Sequence, residues 1–206
     1  MENREKPRSW EEIPPVTNRG LDEYAYHLNL EEENLKGKKI LDIGAGTRRF
    51  AREVEERGIQ AEVFSLEPLF SLPKEKMDPK VQEFIEKYPV STKVKEKTVA
   101  GVGDQMPFTN EAFDLCVSEY SLPMHSSTQE QAKSFFEEIS RITKVGGEIR
   151  LYPINRNQEG KTEQGRTCNQ NGLDEFINEQ IDKLVHSGKF NLIKSSTLVI
   201  LKKQKD

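Results

Sequence analysis

The 206-residue chain has little of what usually gives a function away at once. It has two cysteines, too few for a disulfide framework, and a single tryptophan. Cys116 lies in an apolar run and Cys168 in a polar one, which fits a buried small hydrophobe and a bystander thiol in a reduced, cytoplasmic protein. No apolar run approaches the ~18 residues of a membrane span. The opening MENREKPRSWEEIPP is too charged for a signal peptide. Three histidines are scattered along the chain, and no group of ligating residues has metal spacing, so no metal is expected. There is no excess of positive charge either: the net charge is −4 and basic residues are spread throughout. A nucleic-acid partner is therefore not expected. Nothing in the sequence sets an oligomeric state.

What is present is alternation. KKILDI (38–43), AEVFSLEP (61–68), KTVAGV (97–102), AFDLCVSEY (112–120) and GEIRLYPI (147–154) read as strands. Between them, TRRFAREVEERG (47–58), DPKVQEFIEKYP (78–89) and SSTQEQAKSFFEEISRIT (126–143) read as helices, the last followed by Gly146-Gly147. The polar stretch 155–172 reads as a mobile surface loop and LDEFINEQIDKLVHSG (173–188) as a helix. FNLIKSSTLVILKK (190–203) splits at residues 194–196 into an antiparallel hairpin. This pattern predicts an α/β fold, a mostly parallel sheet with helices on both faces and an antiparallel strand near its end. Residues 1–35 fall outside the alternation and are read as a Pro-rich lead plus a helix over 19–35 packed across the ligand edge. Residues 36–206 are read as the main domain.

Ligands of such sheets bind beyond the carboxyl ends of the strands. ILDIGAGTRRF (40–50) lies there, with Gly44 and Gly46 removing Cβ atoms where the backbone must turn and a ligand must come close. A dinucleotide fingerprint would require glycine at position 49, which is Arg49. Asp42 at the strand end repels a pyrophosphate and suits an ammonium-bearing ligand, so a nicotinamide oxidoreductase is disfavoured. Glu67 ends the second strand, where an acid can accept both hydroxyls of a ribose. GVGDQMPF (101–108) follows the third strand and offers Asp104 as an acceptor for an adenine amine.

Together these stretches resemble the class I S-adenosylmethionine-dependent methyltransferases. ILDIGAGT resembles the family's glycine-rich motif, EVFSLEP its acid-ended second strand, and GVGDQMPFTNEAFDLCVS the stretch bracketing adenine. ITKVGGEIRLYPI resembles the helix-to-fifth-strand segment of small-molecule members. The resemblance implies a Rossmann-like seven-stranded sheet of order 3-2-1-4-5-7-6 with the last strand antiparallel. It implies S-adenosylmethionine as cofactor, leaving as S-adenosylhomocysteine. Carried over, Gly44, Ala45 and Gly46 approach the methionine part and Asp42 its amino group. Glu67 takes the ribose, with Pro68 and Leu69 beside the adenine. Gly103, Asp104 and Gln105 border the ring, and Ser118 to Tyr120 line the floor below the sulfonium. Two positions depart from the pattern. Arg48 stands where the family's usual motif has a third glycine, and points away, crowds the cofactor or pairs with the methionine carboxylate. Val102 stands where many relatives carry an acid, leaving the adenine contact to Asp104 or the backbone.

Methyl transfer asks a protein mainly to align a nucleophile and remove its proton. The candidates for that work follow the fourth strand: Glu119, Tyr120 and His125. Tyr24, Tyr26 and His27 on the amino-terminal helix are candidate substrate contacts. SEYS (118–121) replaces the tetrad that amino-methylating nucleic-acid enzymes carry there, so the expected acceptor is a small metabolite or natural product. The alternatives are a protein side chain as acceptor, or a non-catalytic cofactor-binding sensor or accessory subunit.

Overall fold

The computed structural model describes residues 16–154, 172–194 and 197–205, the side chain of Lys194 excepted. The lead over 1–15, residues 155–171 of the expected loop with Cys168, and the hairpin turn at 195–196 lie outside the described residues. In chain order the elements are α1 (Leu21–Leu28), α2 (Glu32–Leu35), β1 (Lys39–Ile43), α3 (Arg49–Glu56), β2 (Glu62–Leu66), α4 (Pro79–Lys87), α5 (Thr92–Glu96), β3 (Thr98–Val99), β4 (Phe113–Glu119), α6 (Gln129–Ile142), β5 (Thr143–Tyr152), α7 (Leu173–His186), β6 (Phe190–Lys194) and β7 (Val199–Lys203). Two 3-10 turns, Pro68–Ser71 and Lys74–Lys76, follow β2.

The seven strands form one sheet in the order β3-β2-β1-β4-β5-β7-β6. β1 pairs in parallel with β2 and β4, β2 with β3, and β4 with β5. β7 runs antiparallel to both neighbours, because the final two strands have no helix between them to bring the chain back to the same end. Fold class and strand order agree with the sequence reading.

Side chains alternate across the sheet. Leu41, Ile43, Cys116, Ile149, Leu151 and Leu201 point to one face, where Phe135, Phe136 and Ile139 of α6 and Ile177 and Ile181 of α7 cover them. Ile40, Leu115, Val117 and Ile200 point to the other, against Leu21, Tyr24 and Leu28 of α1, Leu35 of α2, and Phe50 and Val54 of α3. Each large apolar side chain moved out of water contributes about 1.5–3 kcal/mol.

Local chemistry sets the element ends. Thr128 caps α6 by accepting from Gln131 N at 3.1 Å, and Asp78 caps α4, with Pro79 in its first turn, by accepting from Lys80 N at 2.8 Å. Four boundaries depart from the sequence reading. The single helix expected over 19–35 is two, because Asn29 turns left-handed (φ 53°) and ends α1. The strand expected over 97–102 shrinks to Thr98–Val99, since Val102 is already bridged to Gln105 in a tight turn. Ser91 caps an unexpected short α5 through Val94 N at 3.2 Å. Gly146-Gly147 do not separate α6 from the next strand. β5 starts at Thr143, and the glycines lie in the register shift between the Phe113–Thr143 and Leu115–Glu148 pairs. A Cβ on Gly147 would stand 2.9 Å from Lys144 O and 3.0 Å from Asp114 O. Among the described residues, no helix is long and apolar enough to cross a membrane.

Candidate cofactor and acceptor site

The parallel strands β1, β2 and β4 end at one edge, bringing Asp42, Glu67 and Glu119 together there. From Ile43 the chain turns sharply. Gly44 has φ +76° and Gly46 φ +52°, values that glycine adopts without strain. The space left by their missing Cβ atoms is filled by the protein itself: a side chain on Gly44 would collide with Ser121, and one on Gly46 with Thr17. Thr17 O also accepts from Thr47 N at 2.9 Å, and Asn18 Oδ1 from Thr47 Oγ1 at 2.5 Å. The segment preceding α1 thus lies along the glycine turn.

Asp42 is fully buried, and Tyr24 donates to its Oδ1 at 2.7 Å. Oδ2 has no partner. Burial pushes the carboxyl up to about 7, opposed by the Tyr24 hydrogen bond. Burial and the nearby Asp42 hold the Tyr24 phenol well above its ordinary value, so it remains a donor. Tyr24 also stacks on Phe50 with centroids 4.4 Å apart.

Glu67 accepts from Gly46 N at 2.9 Å through Oε2 and from Leu69 N at 3.2 Å through Oε1, which links the first two turns of the edge. Burial raises its carboxyl and those two backbone donors oppose the rise. Each oxygen keeps a second lone pair for a ligand hydroxyl. Pro68 and Leu69 open the 3-10 turn beside it. Beyond β3, Gly103 is packed so tightly that a Cβ would stand 2.9 Å from Leu122. Asp104 is half-buried with an unpartnered Oδ1, and Gln105 is exposed; both also line a hollow with Ser134, Glu137 and Glu138.

Arg48 occupies the position before α3 with φ +66° and is only 7% exposed. Its guanidinium lies 4.2 Å from the centroid of the Phe70 ring, and Nε donates to Thr47 O at 3.4 Å. It makes no ion pair among the described residues, and burial works against its charge.

Beyond β4, Glu119 Oε1 lies 2.5 Å from His27 Nδ1, while its buried Oε2 has no partner among the described residues. Arg19 Nε lies 3.9 Å from the same Oε1, and its guanidinium sits 4.2 Å over the Tyr120 ring. Burial raises the Glu119 carboxyl, and His27 and Arg19 oppose it. Tyr120 holds φ +48°, an uncommon conformation for a bulky residue, with its N–H on Tyr152 O at 2.7 Å. His27 stacks on Tyr152 at 4.5 Å and meets Tyr120 edge-on at 5.7 Å.

α1 is fixed above this edge at both ends. Glu53 of α3 accepts from Leu21 N at 2.7 Å, and Arg150 of β5 donates to Leu28 O and Asn29 O.

The structure therefore gathers Tyr24, Asp42, His27, Glu119 and Tyr120 and leaves other candidates outside. Tyr26 is 84% exposed. His125 is exposed in the turn after β4, where its backbone N–H donates to Ser121 O at 3.1 Å. Ser118 faces away from Glu119 by strand alternation, and its hydroxyl donates to Leu122 O at 2.5 Å. Among the described residues no group of three or more ligating side chains is placed to hold a metal. Arg19, Arg150 and Tyr152 join the site without having been singled out from the sequence. Arg150 and Tyr152 carried a legible signal, because their two-residue spacing in β5 puts both on one face.

The residues fit a nucleoside that carries an ammonium group. Among the described residues two buried acceptors without a partner, Asp42 Oδ2 and Asp104 Oδ1, flank Glu67 in the strand order. The family model described as a methyltransferase domain matches residues 41–151, slightly over half of the chain. No curated protein matches it in sequence. An S-adenosylmethionine-dependent methyltransferase of Methanosarcina mazei is similar in structure, with TM-score 0.54, 17% identity, and coverage of 86% of this chain and 95% of that one. The 1,6-didemethyltoxoflavin-N1-methyltransferase of Burkholderia thailandensis, solved with 1,6-didemethyltoxoflavin and S-adenosylhomocysteine, gives 0.51 at 13% identity, covering 82% and 72%. A [4+2]-cyclase also matches, with TM-score 0.51 and 18% identity, covering 84% of this chain and 56% of that one, so this fold serves more than one chemistry.

Proposed function

The chain belongs to the methyltransferase domain family and has the class I sheet, and on that premise we propose that it methylates a small-molecule acceptor with S-adenosylmethionine. The cofactor lies along the ends of β1, β2 and β3, and the acceptor beyond β4. The observation that carries this reading is the pair of carboxylate oxygens without a partner among the described residues, Asp42 Oδ2 and Asp104 Oδ1, with Glu67 between them in the strand order. Asp42 accepts from the ammonium group, Glu67 from the ribose hydroxyls, and Asp104 from the adenine amine. Gly44, Ala45 and Gly46 border the methionine part, with Pro68, Leu69, Gly103 and Gln105 around the adenine and Ser118 beneath. Arg48, which has no carboxylate partner among the described residues, pairs with the methionine carboxylate. When bound, the sulfonium supplies a methyl group that needs no further activation.

The protein's own part is to exclude water and orient the acceptor. α1, tied to α3 and β5, walls the acceptor side together with Tyr120 and Tyr152. The net charge of −4 suits no polyanion, which favours a small molecule as acceptor. A cytoplasmic setting accords with the free Cys116 thiol, which burial pushes up to about 12 and so makes inert.

Calorimetric titration with S-adenosylmethionine, S-adenosylhomocysteine and NAD tests the reading. Both sulfur ligands are expected to bind and NAD not to; failure of both sulfur ligands would sink it. Glu67→Ala should weaken S-adenosylhomocysteine binding by about 1–3 kcal/mol through lost hydrogen bonds to the ribose. Binding near pH 7 should also release protons, because an ammonium beside the half-titrated Asp42 favours its ionised form. Binding enthalpies in buffers of different ionisation enthalpy measure that release.

A further inference from the structure

The acceptor side holds an imidazole–carboxylate pair that the binding of the cofactor does not require. His27 comes from α1 and Glu119 from the end of β4, 92 positions apart, yet Nδ1 and Oε1 meet at 2.5 Å. The Glu119 side chain is wholly buried, whereas that of His27 is 21% exposed. The imidazole is held by its Tyr152 stack and the Tyr120 edge contact. Nε2, the far nitrogen, has no hydrogen-bond partner among the described residues. A carboxylate accepting from Nδ1–H leaves Nε2 with its lone pair, the arrangement a general base needs.

We propose that His27 takes the proton of the methyl acceptor at Nε2, that Glu119 is the positioning residue fixing its tautomer, and that the acceptor is an aromatic hydroxyl. This rests on the methyl-transfer reading above. As the acceptor oxygen bonds to the methyl carbon, the carbon–sulfur bond breaks with its electrons left on sulfur, and the hydroxyl proton passes to Nε2. The charged and titratable groups facing the pair argue for this acceptor class. Arg19 sits beside Glu119 and over Tyr120, and Glu23 and the Tyr24–Asp42 pair are near enough to Glu119 to interact with it electrostatically. A fixed guanidinium favours an oxygen that gains negative charge as its proton leaves and disfavours an amine, which becomes cationic as it is methylated. Tyr120 and Tyr152, with centroids 5.5 Å apart and rings nearly perpendicular, suit a planar ring.

Long-range proton–nitrogen correlation spectra of the 15N-labelled full chain read the tautomer directly. His27 is expected with its proton on Nδ1 and a bare Nε2, and Glu119→Gln should lose that fixed pattern. A proton on Nε2 in the wild type would overturn the proposal. The second measurement compares a panel of phenols and catechols with iodide, a nucleophile that has no proton to lose. His27→Gln should lower the ratio of phenol to iodide methylation by about 100-fold. An equal loss on both would make His27 a packing residue, and methylation of amines but not of any phenol would overturn the acceptor class. S-adenosylhomocysteine titrated into the wild type separates failures: without binding the methyltransferase reading falls, and with binding only the pair is at stake.

Discussion

On the face covered by α6 and α7, β1, β4 and β5 present Leu41, Ile43, Cys116, Ile149 and Leu151. On the face covered by α1 and α3, the same three strands present Asp42, Glu119 and Arg150, each at most 6% exposed. One residue of register separates a mainly apolar layer, which also holds Ser118 and Thr143, from one carrying buried ions, since successive side chains of a strand point to opposite sides. The first face stabilises without constraint on chemistry. The second uses packing to hold polar groups that would be more stable in water, and each is matched by a partner from α1: Tyr24 for Asp42, His27 for Glu119, and the carbonyls of Leu28 and Asn29 for Arg150. The buried ions are therefore gathered on one face of the sheet rather than at one end of the chain.

Substitutions can break this division. The largest loss should come from the apolar face: Ile177→Ala, at a fully buried site on α7, is expected to cost about 2–5 kcal/mol in urea unfolding. Its folded fraction should still bind S-adenosylhomocysteine within about twofold, as few-ångström relaxation in that layer leaves the edge in place. A large affinity loss would show that the faces are coupled.

Asp42→Asn should do the reverse, weakening cofactor binding while raising stability at pH 8. The sign follows from linkage. The folded carboxyl is raised from 3.8 to about 7, so between those values the unfolded chain binds fewer protons and wild-type stability falls as pH rises. The cost is complete above about pH 7 and absent below about pH 4; the Asn variant should gain about 2 kcal/mol at pH 8. Parallel pH profiles for the two proteins would contradict the assignment.

Arg150→Met should cost about 1–3 kcal/mol by leaving carbonyls of Leu28 and Asn29 without their donor. Faster hydrogen exchange confined to Leu21–Asn29, with α6 and α7 unchanged, would sharpen the comparison. The smallest effect is at Arg48. Replacing it with Gly removes a left-handed backbone conformation at φ +66°, worth about 1 kcal/mol, while giving up the Phe70 contact. Stability should hardly move. Affinity for S-adenosylhomocysteine should fall, and affinity for 5′-methylthioadenosine, which has no carboxylate, should not.

Much of the fold was legible because its signals are local. The apolar runs around KILDI and FDLCVSE, separated by the amphipathic spacing of Phe135, Phe136 and Ile139, require strands and helices in alternation. The final pair of strands without a helix requires an antiparallel member. The acids at strand ends could likewise be picked out, since Asp42, Glu67 and Glu119 each close an apolar run. Less legible were the short-range exceptions. Asn29 breaks the first helix through one residue's left-handed turn, and Gly146-Gly147 make a bulge rather than a loop, a choice that depends on pairing with β4.

The amino-acid sequence by itself determined the alternation of strands and helices, the glycine turn at Gly44–Gly46 and the acids that border it, because periodicity and turn chemistry are properties of neighbouring residues; the strand order was implied by the family resemblance. Only the tertiary structure decided which partners those acids take. Tyr24 and His27 reach Asp42 and Glu119 because α1 is pinned between Glu53 and Arg150, and Thr17 fills the space above Gly46 because the segment before α1 must cross that turn. Partner choice follows from packing among residues far apart in the chain, where no local pattern can specify it.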